Sequence, residues 1–133
     1  MGHIGYTPQF KKKFKIEGQS KIQALSLLKE AKQIERAGAF AIVLECIHPS
    51  SAKFITNEVN VPTIGIGSSS YCDGQVLVTD DMLGLSGFYP KFVKKYLNLN
   101  RTIEKAVKKY TREVKLGAFP KKKNFLNGTK HRR

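Results

Sequence analysis

Ala39-Phe40-Ala41-Ile42-Val43-Leu44-Glu45 is an unbroken apolar run closed by a single carboxylate. It follows Gly38, a residue type that stops helices by turning left-handed, and so reads as a strand buried on both faces. In α/β folds the carboxyl ends of such strands carry the working side chains, which makes Glu45 the first residue to explain. A carboxylate there is partly desolvated, and desolvation raises its pKa and makes it a better base. The competing reading is a Glu that ends a strand and meets solvent or a neighbouring Lys.

Upstream, Ser20 to Ala37 has the pattern of a helix. Ser20 can cap it, Gly38 can end it, and Ile22, Leu25, Leu28, Ala31 and Ile34 form a stripe that would pack on a sheet. Downstream, His48-Pro49-Ser50-Ser51 marks a second helix start, with Ala52, Ile55 and Val59 as a short apolar face. A second strand follows over Thr63 to Ile66, inside Val61-Pro62-Thr63-Ile64-Gly65-Ile66-Gly67. Two strands joined through a helix make a βαβ unit.

Beyond Gly74 the pattern is mixed, and Gln75 to Leu85 fits a strand, a short helix or a covering loop equally. Gly87 and Pro90 break the chain before a short helix expected over Lys91 to Tyr96. Asn100 is expected to cap a longer helix with the stripe Ile103, Val107, Tyr110 and Val114 and the pair Glu104–Lys108, ending at Gly117 and Pro120. From Lys121 apolar periodicity stops, so residues 121–133 are expected to be a basic, disordered tail.

The 133 residues carry 24 Lys+Arg against 10 Asp+Glu, a net charge of +14. That balance alone suggests a polyanionic partner, and a small basic nucleic-acid-binding protein is the alternative reading. Dense basic clusters occur only at Lys11–Lys13, Lys121–Lys123 and Lys130–Arg133, without the interleaved aromatics of a base-stacking platform. A solvated surface is the better account, and nucleic acid is not the expected partner. No apolar run is long enough to span a membrane and no signal pattern opens the chain, so a soluble, cytoplasmic protein is expected. Cys46 and Cys72 are then free thiols. Cys46, His48, Cys72 and Asp73 lack the paired spacing of a zinc site, and no thiol is matched with a positioned base. Asp73, Asp80 and Asp81 read as turn or cap residues.

The segments Met1-Gly2-His3-Ile4-Gly5-Tyr6-Thr7-Pro8-Gln9, Gly38 to Cys46, Pro62 to Gly67, Cys72 to Val78 and Asp81 to Leu85 together resemble ketopantoate hydroxymethyltransferase. Order and spacing match as well, over nearly the whole chain to about Phe125, but the match is to the second half of the family. The resemblance implies an α/β fold, the C-terminal half of a (β/α)8 TIM barrel, over residues 1–120. A full barrel takes about 250 residues, so half is what the length permits. Gly2-His3-Ile4-Gly5 then reads as a loop following a strand that lies before the chain.

The resemblance further implies that Glu45 is the catalytic base acting on 3-methyl-2-oxobutanoate, and that the one-carbon donor is 5,10-methylenetetrahydrofolate. It puts His3 at the barrel mouth as a substrate-binding donor; the competing reading is a surface His beside a frayed terminus. Gly65 and Gly67 are expected in a cofactor-facing loop, as against an ordinary flexible turn, although Ser68-Ser69 stands where the family usually has Ala-Gly. Mg2+ is implied at the enolate oxygen, held by carboxylates of the first half, so no metal ligand is expected here. A homo-oligomer is implied, and a separately made N-terminal half is a further possible partner. Without those carboxylates the isolated chain is expected not to turn over.

Overall fold

The computed structural model describes residues 1–9 and 14–126. The Lys11–Lys13 and Lys130–Arg133 clusters and the end of the expected tail therefore lie outside the described residues. Among the described residues four strands, β1 (Gly2–Gly5), β2 (Ile42–Glu45), β3 (Thr63–Ile66) and β4 (Gly74–Gln75), form one sheet in chain order, and each of these pairings is parallel. Helix α1 (Lys21–Arg36) crosses from β1 to β2, and α2 (Pro49–Glu58) from β2 to β3. Helices α3 (Thr79–Leu83) and α4 (Leu99–Lys115) follow, then a 3-10 turn at Lys122–Asn124. The class is α/β, and parallel strands added in chain order are the arrangement of half a (β/α)8 barrel.

Side-chain alternation along the strands separates core from site. Ile4, Ile42 and Leu44 turn toward the helices and are fully buried, packed with Leu27, Leu28 and Ala31 of α1 and Ala52 and Ile55 of α2. His3, Val43 and Glu45 take the opposite phase, on the face without those helices. Register sets Gly5 beside Glu45 and Glu45 beside Ile66. Gly5, at φ 89°, is needed there because a Cβ would run into the Glu45 carbonyl oxygen.

Both expected caps of α1 are present. Ser20 accepts from the Gln23 backbone N–H at 3.2 Å, and Gly38 takes a left-handed φ of 89°. Its buried stripe is rotated from the expected one, since Ile22 and Leu25 are 82% and 50% exposed. Three-residue steps fall about 60° short of a full turn each, so a stripe followed that way walks off the packed face. Pro49 opens α2 as expected.

Three other expectations are corrected. Gly2–Gly5 is not a loop but the edge strand β1, because pairing with Ile42–Glu45 and burial of Ile4 hold it extended. Lys91–Tyr96 is not a helix: the Val93 N–H closes a turn on the Pro90 carbonyl, and the Tyr96 N–H donates across to the Met82 carbonyl. Asn98, not Asn100, caps α4, accepting from the Arg101 N–H at 3.2 Å. The α4 stripe is as expected in spacing, but Ile103, Val107, Tyr110 and Val114 are all exposed. The segment Gln75 to Leu85, left open by its pattern, contains the last residue of β4 and helix α3, joined by an irregular stretch over 76–78. No helix among the described residues is long and apolar enough to cross a membrane.

Candidate active site

Glu45 ends β2, and its side chain is only 13% exposed. Its Oε2 lies 3.0 Å from His3 Nε2, on the neighbouring strand β1. The same His3 nitrogen is 3.1 Å from the Tyr6 carbonyl oxygen. Carboxylate and carbonyl both accept, so Nε2 carries the proton and donates to the pair. Sequence reasoning singled out both residues; parallel pairing of β1 with β2 brings them together. The arrangement is an ionisable carboxylate, shielded from bulk water and held by a donor that fixes its direction.

Immediately after Glu45 the backbone reverses through Cys46, a non-glycine residue with φ 53°. Non-glycine residues seldom adopt that region, and here it separates two environments: Glu45 on the open sheet face, and Cys46 in a buried position against a neighbouring cavity. Burial pushes the Cys46 thiol up to about 11, with the charges of Glu45 and Glu17 acting in the same direction. At neutral pH it is a protonated, inert wall rather than a nucleophile.

The glycine turn follows β3. Space on the open side of Gly65 is taken by the Gln75 amide and Cys72, and Gly67, at φ 58°, lies under the Phe92 ring. Ser68 Oγ donates to the Ile47 carbonyl at 3.1 Å, tying this turn to the end of β2. Phe92 separates two hollows that both reach Gly67. One, of about 370 Å³, is walled by aromatic and aliphatic side chains together with Lys15 and Lys91; the other, of about 410 Å³, is lined by Ser68, Ser69, Ser70 and Gln75 with Val76 and Leu77. Sequence reasoning missed Phe92, because an aromatic in a segment taken for a helix gives no sign that it covers Gly67, which lies well before it in the chain.

Asp73 is structural. Its carboxylate accepts from the Thr63 N–H at 2.8 Å and the Thr63 hydroxyl at 2.9 Å, and those bonds hold it below the ordinary carboxylate range. Asp80 and Asp81 lie in the first turn of α3, as turn and cap residues do. Cys72 is buried beside Thr56 and Thr63 and is free, as is Cys46. Among the described residues no group of three or more His, Cys, Asp or Glu side chains converges to hold a metal. The described residues do not by themselves fit a magnesium site, since Glu45 is met by a His donor rather than by further carboxylates.

Comparison with known proteins adds a family. The family described as Ketopantoate hydroxymethyltransferase matches residues 1–122. The chain is similar to the 3-methyl-2-oxobutanoate hydroxymethyltransferase of Enterococcus faecalis, 52% identical over 124 residues, covering 90% of this chain and 45% of the relative. Similarity to the like-named protein of Clostridium beijerinckii is 50% over 128 residues, 93% of this chain and 46% of the relative. For that of Thermotoga maritima it is 52% over 124 residues, 90% of this chain and 46% of the relative. The chain thus spans about half the length of the curated relatives it matches.

Proposed function

The chain belongs to the ketopantoate hydroxymethyltransferase family, and from that premise we propose that it supplies the proton-abstracting side of a 3-methyl-2-oxobutanoate hydroxymethyltransferase. The observation that carries the reading is the shielded Glu45 carboxylate hydrogen-bonded to His3 at a strand's carboxyl end. Glu45 takes the C3 proton of 3-methyl-2-oxobutanoate, and the electron pair left behind moves into the enolate. C3 then bonds to the methylene carbon of 5,10-methylenetetrahydrofolate. The two carbon–nitrogen bonds of that carbon break, water supplies the hydroxyl oxygen, the freed nitrogens take up the proton held by Glu45 and one proton from that water, and 2-dehydropantoate and tetrahydrofolate leave.

His3 keeps Glu45 aimed through Nε2 and is the substrate-binding residue beside it. Gly65 and Gly67 shape the wall on the co-substrate side. Mg2+ at the enolate oxygen would supply charge stabilisation, but the described residues do not form its site, so it enters no step here. We extend the reading to a cytoplasmic homo-oligomer with residues 1–120 as part of a barrel. The nucleic-acid alternative is weaker: Lys53, Lys94 and Lys95 stand 4.3–4.9 Å over the rings of Tyr71, Tyr96 and Tyr89, faces that base stacking would need.

The test is exchange of the C3 proton of 3-methyl-2-oxobutanoate in heavy water, followed by NMR with the full chain. This half-reaction needs no one-carbon donor. Wild type is expected to accelerate this partial reaction although the complete hydroxymethyl transfer is not expected to turn over, and Glu45→Gln to lower the rate about 100-fold or more while circular dichroism is unchanged. Equal rates for the two proteins would overturn the assignment of Glu45.

A further inference from the structure

We infer that the cavity beside Cys46 and Gly67 is the seat of the aminobenzoylglutamate limb of the folate co-substrate. The inference rests on the proposed hydroxymethyl transfer and adds a place for the part of the donor that does not react. Of the hollows in the molecule, this one combines three features. Its volume of about 370 Å³ falls in the range of small-molecule sites. Its walls include three phenylalanines, Phe14, Phe88 and Phe92, of which Phe14 and Phe92 are packed edge to face with ring centroids 6.1 Å apart. Its lining also carries two cations, Lys15 and Lys91, and none of its lining residues is acidic.

That composition selects a ligand with a flat aromatic body and an anionic end. Aromatic rings take a benzoyl ring in stacked or edge-on contact, and two ammonium groups complement glutamyl carboxylates. Phe14 and Phe88 are 48% and 69% exposed, so a ring laid between them removes apolar surface that is otherwise in water. The serine-lined hollow beyond Phe92 has that one ring and no cation among its lining residues.

Position agrees with the chemistry. Cys46, in the cavity wall, directly follows the base Glu45, and Gly67, also in the wall, directly follows Ile66, the register partner of Glu45. The reacting methylene group lies at the junction of the pterin and the aminobenzoyl limb. A limb anchored in the cavity therefore brings that junction toward the end of β2, where the enolate forms. Cys46, with its thiol held protonated, offers no competing nucleophile or charge to the ligand.

Binding of p-aminobenzoylglutamate, and of tetrahydrofolate carrying one or three glutamates, to the full chain tests this by titration calorimetry. Lys15 and Lys91 are both exposed, so reversing their charge leaves the packed core alone. Wild type is expected to bind all three probes. Lys15→Glu combined with Lys91→Glu is expected to weaken tetrahydrofolate about 10-fold, with a larger loss for the triglutamate than for the monoglutamate. Failure of wild type to bind p-aminobenzoylglutamate, or equal affinities in wild type and the double variant, would overturn the inference. The C3 exchange rate of wild type, read without folate, keeps the two readings apart. Exchange without folate binding removes this inference and leaves Glu45 as base; lysine-dependent folate binding without exchange supports the cavity and counts against Glu45.

Discussion

His3 Nε2 stands between two acceptors, 3.0 Å from the Glu45 carboxylate and 3.1 Å from the Tyr6 carbonyl, so one N–H is shared and the ring is fixed in plane. Replacing it with Ala leaves the carboxylate in the same shielded position with nothing to aim it. His3→Ala is expected to lower C3 exchange about 10- to 100-fold, the scale of a misplaced catalytic group. His3→Gln, whose amide can donate to the carboxylate, is expected to recover part of the rate. Parallel rates for Ala and Gln variants would show that the donor does not position Glu45.

Gly67 combines φ 58° with the Phe92 ring, which an added Cβ would meet at 2.6 Å. Gly67→Ala is expected to destabilise the fold by about 1 kcal/mol or more, from backbone strain and ring displacement together. Phe92→Ala removes the clash but not the strain. A urea double-mutant cycle over the two positions is expected to be less than additive. Full additivity would mean that ring and glycine do not share their contact in solution.

Thr63 is fully buried, and its N–H and hydroxyl both donate to Asp73. Asp73→Ala leaves a buried donor unsatisfied, at about 1–3 kcal/mol in chemical unfolding. The pKa of Asp73 is depressed from its ordinary 3.8 by these bonds. The native state then binds fewer protons than the unfolded chain at acid pH, so the contribution is fully present above the ordinary value and is lost as pH falls through the depressed one. An acid-unfolding curve that Asp73→Asn fails to alter below pH 3.8 would contradict this.

Cys46, raised to about 11 from 9.0, makes the opposite prediction. Its thiol stays protonated in the native state where the unfolded chain has lost the proton. The contribution to stability is present below 9.0 and disappears as pH rises through about 11. In a Cys72→Ser background, iodoacetamide labelling of native protein is expected to be slow at pH 8 and to climb only toward pH 11. Rapid labelling near neutrality would show an exposed or activated thiol instead.

Much of the α/β layout is legible in local sequence, because its signals are local. Ser20 and Gly38 bracket α1, Pro49 starts α2, and Thr63 to Ile66 is β3, each set by capping, backbone preference or a short apolar run. β1 is not legible: Gly-His-Ile-Gly has little strand propensity of its own and is extended because β2 pairs with it. Glu45 and His3 were each readable as candidates, one from the end of an apolar run and both from the family resemblance. Their hydrogen bond follows from a pairing between segments about forty residues apart in sequence, which no local pattern records. Lys91–Tyr96 fails for the same reason, its backbone being claimed by Met82 and Pro90.

Among the described residues, β1 is paired to β2 on one side and to no other strand on the other. Half of the candidate couple, His3, therefore rides on a four-residue ribbon at the rim, while its counterpart Glu45 belongs to an interior strand. Loosening of β1 would part the imidazole from the carboxylate and draw Ile4 out of the core with it. The ring resonances of His3 thus serve as a gauge of rim integrity, reporting whether any given preparation has its chemistry assembled before substrate is ever added.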